Sequence, residues 1–202
     1  MEEIVPGVHH WTATHPSIHM RVHSAYVAPA RALIDPLVPD EGLAVFEGLP
    51  RPEVVLLTNR HHYRHSDRFA EAFGCRVRAS APGMHEFEGT DRVVEPFAWG
   101  EEVAPGIVAH EVGVLCPDES ALHIAVGSGV LAVADGVVRF GGPDLGFVPD
   151  HLLGDEPEEI KRGLRASYAR LLELDFDALL LAHGEPIAAG AKDALRAFAA
   201  GG

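Results

Sequence analysis

The chain has 202 residues, of which 47% are hydrophobic and 23% charged, and its net charge is -14 with histidine neutral. This length and composition predict a globular chain with one domain over residues 1–202, large enough to bury a core without disulfides. The 30 acidic residues against 16 basic ones argue against nucleic acid or an anionic membrane as a partner, because both require a basic protein face.

Short apolar runs separated by Gly and Pro turns predict many strands in the first two thirds of the chain. The predicted strands cover 9–13, 20–28, 31–34, 54–57, 76–79, 107–111, 121–126, 130–134 and 137–140. Ser66 predicts the N-cap of a helix that runs to Phe73, and Gly74 follows directly as its stop signal.

The last third of the sequence is more helical. Pro157, with acidic neighbours, predicts the start of a helix over 157–174, since proline and negative charge both suit a first helical turn. A buried strand is predicted over 178–181 and an Ala-rich helix over 191–199. Many strands with few helices indicate a mixed α/β layered domain.

Cysteine usage and the first residues bear on location. Cys75 and Cys116 cannot form a disulfide framework or a four-thiolate zinc site, which favours a reducing compartment. The first residues lack the basic and apolar segments of a signal peptide, and no run of 18 apolar residues predicts a membrane span. We therefore expect a cytoplasmic protein that does not enter a membrane, with a homodimer as the default oligomer.

Polar residues follow four apolar runs, and the ends of strands are where layered α/β domains place their chemistry. These places are Asp35, the segment 59–67, Asp135 and His183. The chain also has 13 histidines, and histidine is the commonest metal ligand. The order and setting of these residues favour a functional role at the ends of the strands.

The order of these motifs resembles that of the metallo-β-lactamase fold superfamily over roughly residues 4–200. The resemblance depends on 33–36 (LIDP) followed by Gly42, on 56–64 (LLTNRHHYR) at the place of a T-H-x-H-x-D-H motif, on 130–136 (VLAVADG) and on 181–186 (LAHGEP). The resemblance implies an α/β fold built as a four-layer αββα sandwich, with the site along one sheet edge.

The family uses seven ligand positions for up to two metal ions, and the resemblance places these on Asn59, His61, Leu115, Tyr63, Arg64, Asp135 and His183. Four of the seven are changed in type. The ligands that remain are His61, Asp135 and His183, enough for one ion completed by water. The resemblance thus implies at most one zinc, iron or manganese ion, with the alternative that none binds.

Several alternatives remain open in the segment 59–67. Arg64 takes the place of a second-metal histidine, and we hypothesise that its guanidinium pairs with Asp135 in place of that metal. The segment is dense in histidine, so His62, His65 or Asp67 could join the site instead. His110, on another predicted strand, is a further candidate.

The sequence leaves three functions, of which the third is an interaction protein whose site is vestigial. The first is an atypical hydrolase of a small ester, thioester or lactone, with the ion at His61, Asp135 and His183 and with Asn59, Tyr63 or Arg64 polarising or orienting the substrate. The second is a non-catalytic module that binds a small molecule and has lost its metal. Neither the substrate nor catalytic activity can be read from the sequence, since one fold carries many chemistries.

Overall fold

In a computed structural model that describes residues 1–201, two β-sheets pack face to face between α-helices. The strands are β1 (Glu2–Val5), β2 (Val8–Thr14), β3 (Arg21–Val27), β4 (Ala32–Ile34), β5 (Val54–Leu56), β6 (Arg76–Ser80), β7 (Glu95–Phe97), β8 (Glu102–Ala104), β9 (Ile107–Glu111), β10 (Ser120–Ile124), β11 (Val130–Val133) and β12 (Ala178–Leu181). The helices are α1 (Ser66–Phe73), α2 (Pro157–Leu171) and α3 (Ala191–Ala200), with short 3-10 turns at Leu43–Phe46, Arg60–Tyr63, Ala81–Phe87 and Asp150–Leu152.

The first sheet holds β1 to β7 in chain order, and the second has the order β12-β11-β10-β9-β8. In the first sheet the strands are antiparallel up to β4 and parallel from β4 to β7. In the second sheet only β11 and β12 are parallel. Parallel neighbours end at the same edge of their sheet. The residues after β4 and β5 therefore lie together in the first sheet, and the residues after β11 and β12 lie together in the second.

The main core lies between the two sheets. Alternate strand residues point inward, as the two-residue period of a strand requires. Ile34 and Leu56 of the first sheet share this apolar cluster with Leu122, Ala132 and Leu180 of the second.

The outer faces of both sheets are covered by helices. Leu33 and Leu57 pack with Phe69 of α1, whereas Leu131 packs with Leu164 of α2 and with residues of α3. The layers therefore run helix, sheet, sheet, helix, and the predicted αββα sandwich is confirmed.

The predicted elements agree closely with the structure where the apolar pattern is strong. The strands at 107–111 and 178–181 have the predicted bounds, and α1 ends at Phe73 as predicted. Gly74 ends α1 in the left-handed conformation, with φ +75°, but Ser66 is the first helical residue and His65 precedes it as the N-cap.

The predicted strands differ from those of the structure in two ways. Residues 137–140 form no strand; Val138 and Arg139 make only isolated bridges, to Gly146 and Gly184. The strands β1, β7 and β8 were not predicted, because each is three or four residues long and rich in Glu or Pro. Short polar strands are typical of sheet edges, where they discourage pairing with other chains. Within residues 1–201 no helix has the length and apolarity to cross a membrane.

Candidate metal centre

The candidate site lies where four parallel strands end. Asp35 follows β4, Thr58 and Asn59 follow β5, Asp135 follows β11 and His183 follows β12. The two sheets are tied together at this edge by the Ser120 N–H, which donates to the carbonyl of Thr58 at 2.7 Å. This backbone hydrogen bond and the packed core between the sheets together bring the polar strand ends of the two sheets to one place.

His62, Asp135 and His183 form the centre of the site. Their ligand atoms all lie within 4.8 Å of one another. The Oδ1 atom of Asp135 is 3.3 Å from Nε2 of His62 and 3.1 Å from Nε2 of His183. His62 is buried, whereas the side chains of Asp135 and His183 are 22% and 13% exposed, so the cluster opens to solvent on their side.

His61, which the sequence predicted as a ligand, lies outside this cluster, and His62 takes its place. The cause is the 3-10 turn over Arg60–Tyr63, which begins at Asn59. The Asn59 side-chain oxygen accepts from the backbone N–H of His61 at 2.9 Å, and the turn leaves the His61 side chain exposed while His62 points inward. Adjacent residues of a tight turn point in different directions, so a one-residue change of register exchanges the ligand.

Asp35 holds the ring of His62 from behind. Asp35 is 2% exposed and has a left-handed backbone, φ +45°, which is uncommon for a residue other than glycine. Its carboxylate accepts from the Thr58 N–H at 2.8 Å, from the Thr58 hydroxyl, and from Nδ1 of His62 at 2.9 Å. With Nδ1 engaged in this way, Nε2 of His62 is directed to Asp135.

The two carboxylates set the charge of His62. Burial alone lowers the pKa of His62, but Asp135 and Asp35 outweigh it and raise that pKa to about 9. Burial alone raises the pKa of Asp135, but His62 and His183 hold it well below its usual range. At neutral pH the metal-free cluster therefore contains a protonated imidazole between two ionised carboxylates.

Asn59 holds the second oxygen of Asp135. Its Nδ2 donates to Oδ2 of Asp135 at 2.9 Å, and its side chain is buried. Because Oδ2 is occupied in this way, Oδ1 is the oxygen that faces His62 and His183. Asn59 thus orients the carboxylate, which is the contact that the structure assigns to this predicted site residue.

The predicted pairing of Arg64 with Asp135 is wrong. Within residues 1–201, the ion-pair partners of Asp135 within 4.0 Å are His62 and His183. Arg64 instead donates through Nη1 to the backbone carbonyls of His23 and Asp35, the latter at 2.7 Å. The two carbonyls already engage Nη1 of the guanidinium, and His62 and His183 lie next to Asp135, so no direct pair forms.

The remaining candidates of the segment lie around the cluster rather than in it. Tyr63 is buried and packs against Phe87. Nδ1 of His65 accepts from the Val38 N–H at 3.2 Å, and Asp67 is exposed on α1. His110 lies on β9, where its ring is an edge-on neighbour of His123.

Glu119, which sequence reasoning passed over, lies directly behind Asp135. It is buried, and its Oε1 accepts from the Gly136 N–H at 2.9 Å and from the Tyr168 hydroxyl at 3.2 Å. Burial and then the charge of Asp135 raise the pKa of Glu119 to about 8. The only sequence signal for it was its place in the loop 111–120, where the resemblance expected a histidine.

The two cysteines take no part. Cys75 and Cys116 are both free. Burial raises the pKa of the Cys75 thiol to about 11 and that of Cys116 to about 12. Because the thiolate is the reactive form, neither is suited to act as a nucleophile at neutral pH.

The cluster residues fit a single metal ion. Two imidazole nitrogens and one carboxylate oxygen are a common set of protein ligands for zinc or iron, with further positions open. Oδ1 of Asp135 is buried and makes no well-directed hydrogen bond within residues 1–201, although both Nε2 atoms lie close to it. Three donor atoms that approach one another without hydrogen-bonding well are suited to sharing a cation.

The fold is also that of several solved structures. A metallo-β-lactamase family protein, TTHA1429 from Thermus thermophilus, is 19% identical with a TM-score of 0.69, and the alignment covers 98% of this chain and 80% of that one. TTHA1623, solved in a di-iron-bound form, is 22% identical with a TM-score of 0.68, covering 91% and 96%. A β-lactamase domain protein from Burkholderia ambifaria is 16% identical with a TM-score of 0.68, covering 98% and 75%.

These comparisons show the metallo-β-lactamase fold over nearly the whole chain, at identities typical of a divergent sequence. No family model matches the sequence, and no curated protein matches it significantly. The solved structures agree with the fold that the order of the strand-end motifs predicts. A shared fold does not establish a function, so activity is argued from the residues of the site.

Proposed function

We propose that this protein is a mononuclear hydrolase that binds one zinc, iron or manganese ion through His62, Asp135 and His183. The substrate class proposed is a small ester, thioester or lactone. The observation that carries the proposal is the approach of three donor atoms within 4.8 Å at the edge of the two sheets. TTHA1623, a solved protein with this fold, has a di-iron-bound form, and this supports a metal in the present chain.

The chain's own residues have distinct parts in this proposal. Asp35 fixes the tautomer and direction of His62, and Asn59 fixes the direction of Asp135. A bound ion would supply Lewis-acid activation of an acyl group toward water. The open side of the cluster, next to Asp135 and His183, is where a substrate has access.

A metal analysis tests the proposal. Purified protein is supplemented with zinc, iron or manganese, and the amount of metal bound per chain is measured. The rates at which the same protein hydrolyses an ester, a thioester and a lactone are then measured. We expect about one ion per chain in the wild type and in His151→Ala, whose side chain is exposed on a separate turn. Loss of both metal and hydrolysis in Asp135→Ala and His183→Ala supports the proposal, and an absence of bound metal in the wild type contradicts it.

The second candidate function, a metal-free binding module, has one observation in its favour. Protonated His62 already lies between Asp35 and Asp135, at 2.9 and 3.3 Å, and supplies the positive charge that those carboxylates need. His62 thereby takes the part that the sequence assigned to Arg64. A wild-type protein that binds no metal and hydrolyses none of the three substrates favours this second candidate.

A further inference from the structure

A cleft of about 330 Å³ lies beside the metal cluster, and its lining is basic although the chain carries a net charge of -14. We call it the basic cleft and define it by six side chains: His15, Arg60, His61, Arg64, His65 and Arg92. Glu86 is the one carboxylate in its lining. A cleft of this size fits a small molecule or part of one.

Arg92 presents a cation that no carboxylate neutralises. Within residues 1–201, no carboxylate lies within 4.0 Å of its guanidinium, whereas Arg60 in the same cleft is paired with Asp118 and Glu86. The Arg92 guanidinium lies over the ring of Tyr63, 4.4 Å from its centroid. Stacking on an aromatic face holds the planar group in place while leaving its N–H donors free at the edge.

Arg64 adds a second unused donor. Its Nη1 binds two backbone carbonyls, but its Nη2 is buried and has no hydrogen-bond partner within residues 1–201. The Arg64 backbone has φ +46°, a conformation that costs free energy for a side chain of this size. A strained residue that turns a guanidinium inward, with one nitrogen unused, is suited to receive an anionic group.

The basic cleft and the metal cluster are neighbours. His61 of the cleft adjoins His62 of the cluster in the same 3-10 turn. Partial burial lowers the pKa of His15 in the cleft, and the charges of Arg64, His65, His62 and His183 lower it further. Groups on both sides of the turn therefore act on one another electrostatically.

We infer that the basic cleft binds a carboxylate or phosphate group of the substrate, with Arg92 as its principal contact and Arg64 as its second. This inference rests on the proposed function for its substrate class, which becomes an anionic ester, thioester or lactone. Guanidinium groups are well matched to both anions, because they offer paired donors in one plane.

Binding of simple anions tests the cleft without any metal. Metal is removed with EDTA, and the EDTA is then removed by dialysis because its carboxylates would compete for the cleft. Isothermal titration is made with inorganic phosphate and with succinate, for the wild type, Arg92→Gln, Arg92→Lys and Arg196→Gln. Arg196 is the matched control, because it is an exposed arginine on α3. We expect saturable binding, weakened about tenfold or more by Arg92→Gln, weakened less by Arg92→Lys and unchanged by Arg196→Gln.

Two results overturn the inference: no saturable binding of either anion, or equal weakening by Arg92→Gln and Arg196→Gln. The anion that binds more tightly to the wild type identifies whether carboxylate or phosphate is the natural group.

A second comparison separates this inference from the proposed function. The metal-loaded enzyme is given para-nitrophenyl hemisuccinate and the neutral para-nitrophenyl butyrate, and we expect Arg92→Gln to lower kcat/KM for the charged ester only. Anion binding that depends on Arg92 without hydrolysis of either ester supports the cleft and contradicts the proposed hydrolase. Hydrolysis of the neutral ester without anion binding leaves the hydrolase and contradicts the cleft.

Discussion

Two adjacent histidines offer the sharpest test of the site, because His61→Ala and His62→Ala are identical substitutions one residue apart. His61 is exposed, and its only hydrogen bond in the turn is made by the backbone N–H, which alanine keeps. His62 is 5% exposed and lies between Asp35 and Asp135. The sequence motif assigns the ligand to the first of the two, whereas the structure places the second in the cluster.

The expected magnitudes differ widely. Removing His62 leaves Asp35 buried with only the Thr58 donors and takes the protonated His62 imidazole away from Asp135. Breaking a buried charge pair on one side costs about 3–5 kcal/mol, whereas an exposed substitution usually stays within about 0.5 kcal/mol. For a chain of this size the loss corresponds to a fall in Tm of roughly 10 °C.

Urea unfolding at neutral pH in EDTA measures both variants without metal, and a metal titration of the same proteins follows. We expect the free energy of unfolding of His62→Ala to fall by about 3–5 kcal/mol and its metal binding to be lost. We expect His61→Ala to keep the wild-type stability and metal binding. Equal effects of the two substitutions, or a larger effect of His61→Ala, would refute the assignment of His62 to the cluster.

Three further predictions concern groups that support the site. The pKa of Glu119 in the folded protein is raised to about 8 from an ordinary 4.5. The contribution of protonated Glu119 to the free energy of unfolding is therefore fully present below pH 4.5 and is lost as the pH rises through about 8. Glu119→Gln should flatten this part of the curve of unfolding free energy against pH in EDTA, and an unchanged curve contradicts the raised pKa. Asp35→Asn should weaken metal binding about 10–100-fold, since Asp35 orients His62; a competition titration with a chelator measures this, and unchanged affinity refutes the orienting role. Gly184→Ala places a Cβ 2.4 Å from the carbonyl oxygen of Arg139 at φ +114°, so it should cost about 2 kcal/mol or more in urea unfolding, and a neutral result contradicts the close approach.

The polar residues that directly follow apolar strands could be predicted from the sequence. Asp35, Asp135 and His183 each follow an apolar strand directly, and the structure places all three at the common edge of the two sheets. Such positions are legible because strands with strong apolar patterns have well-marked ends. The metal-ligand parts assigned to Asp135 and His183 stay proposals that the metal analysis tests.

The segment after β5 was harder to predict. In a 3-10 turn the direction of each side chain depends on where the turn begins, and that start is set by the contacts of Asn59 with His61 and Asp135. A motif aligned by spacing alone therefore selected His61. The same motif paired Arg64 with Asp135, but two backbone carbonyls from neighbouring strands take up that guanidinium.

The sequence by itself determined the layered fold and the strand ends that meet at the site, because both follow from local apolar runs and the polar residues that end them. Only the tertiary structure decided which histidine points inward, that Glu119 lies behind Asp135, and that unpaired arginine donors line a cleft in an acidic protein. These features depend on contacts between segments far apart in the chain, such as that between Asn59 and Asp135, which are separated by 76 positions in the sequence. The charge and direction of a buried group are set by all the residues around it, whatever their distance along the sequence.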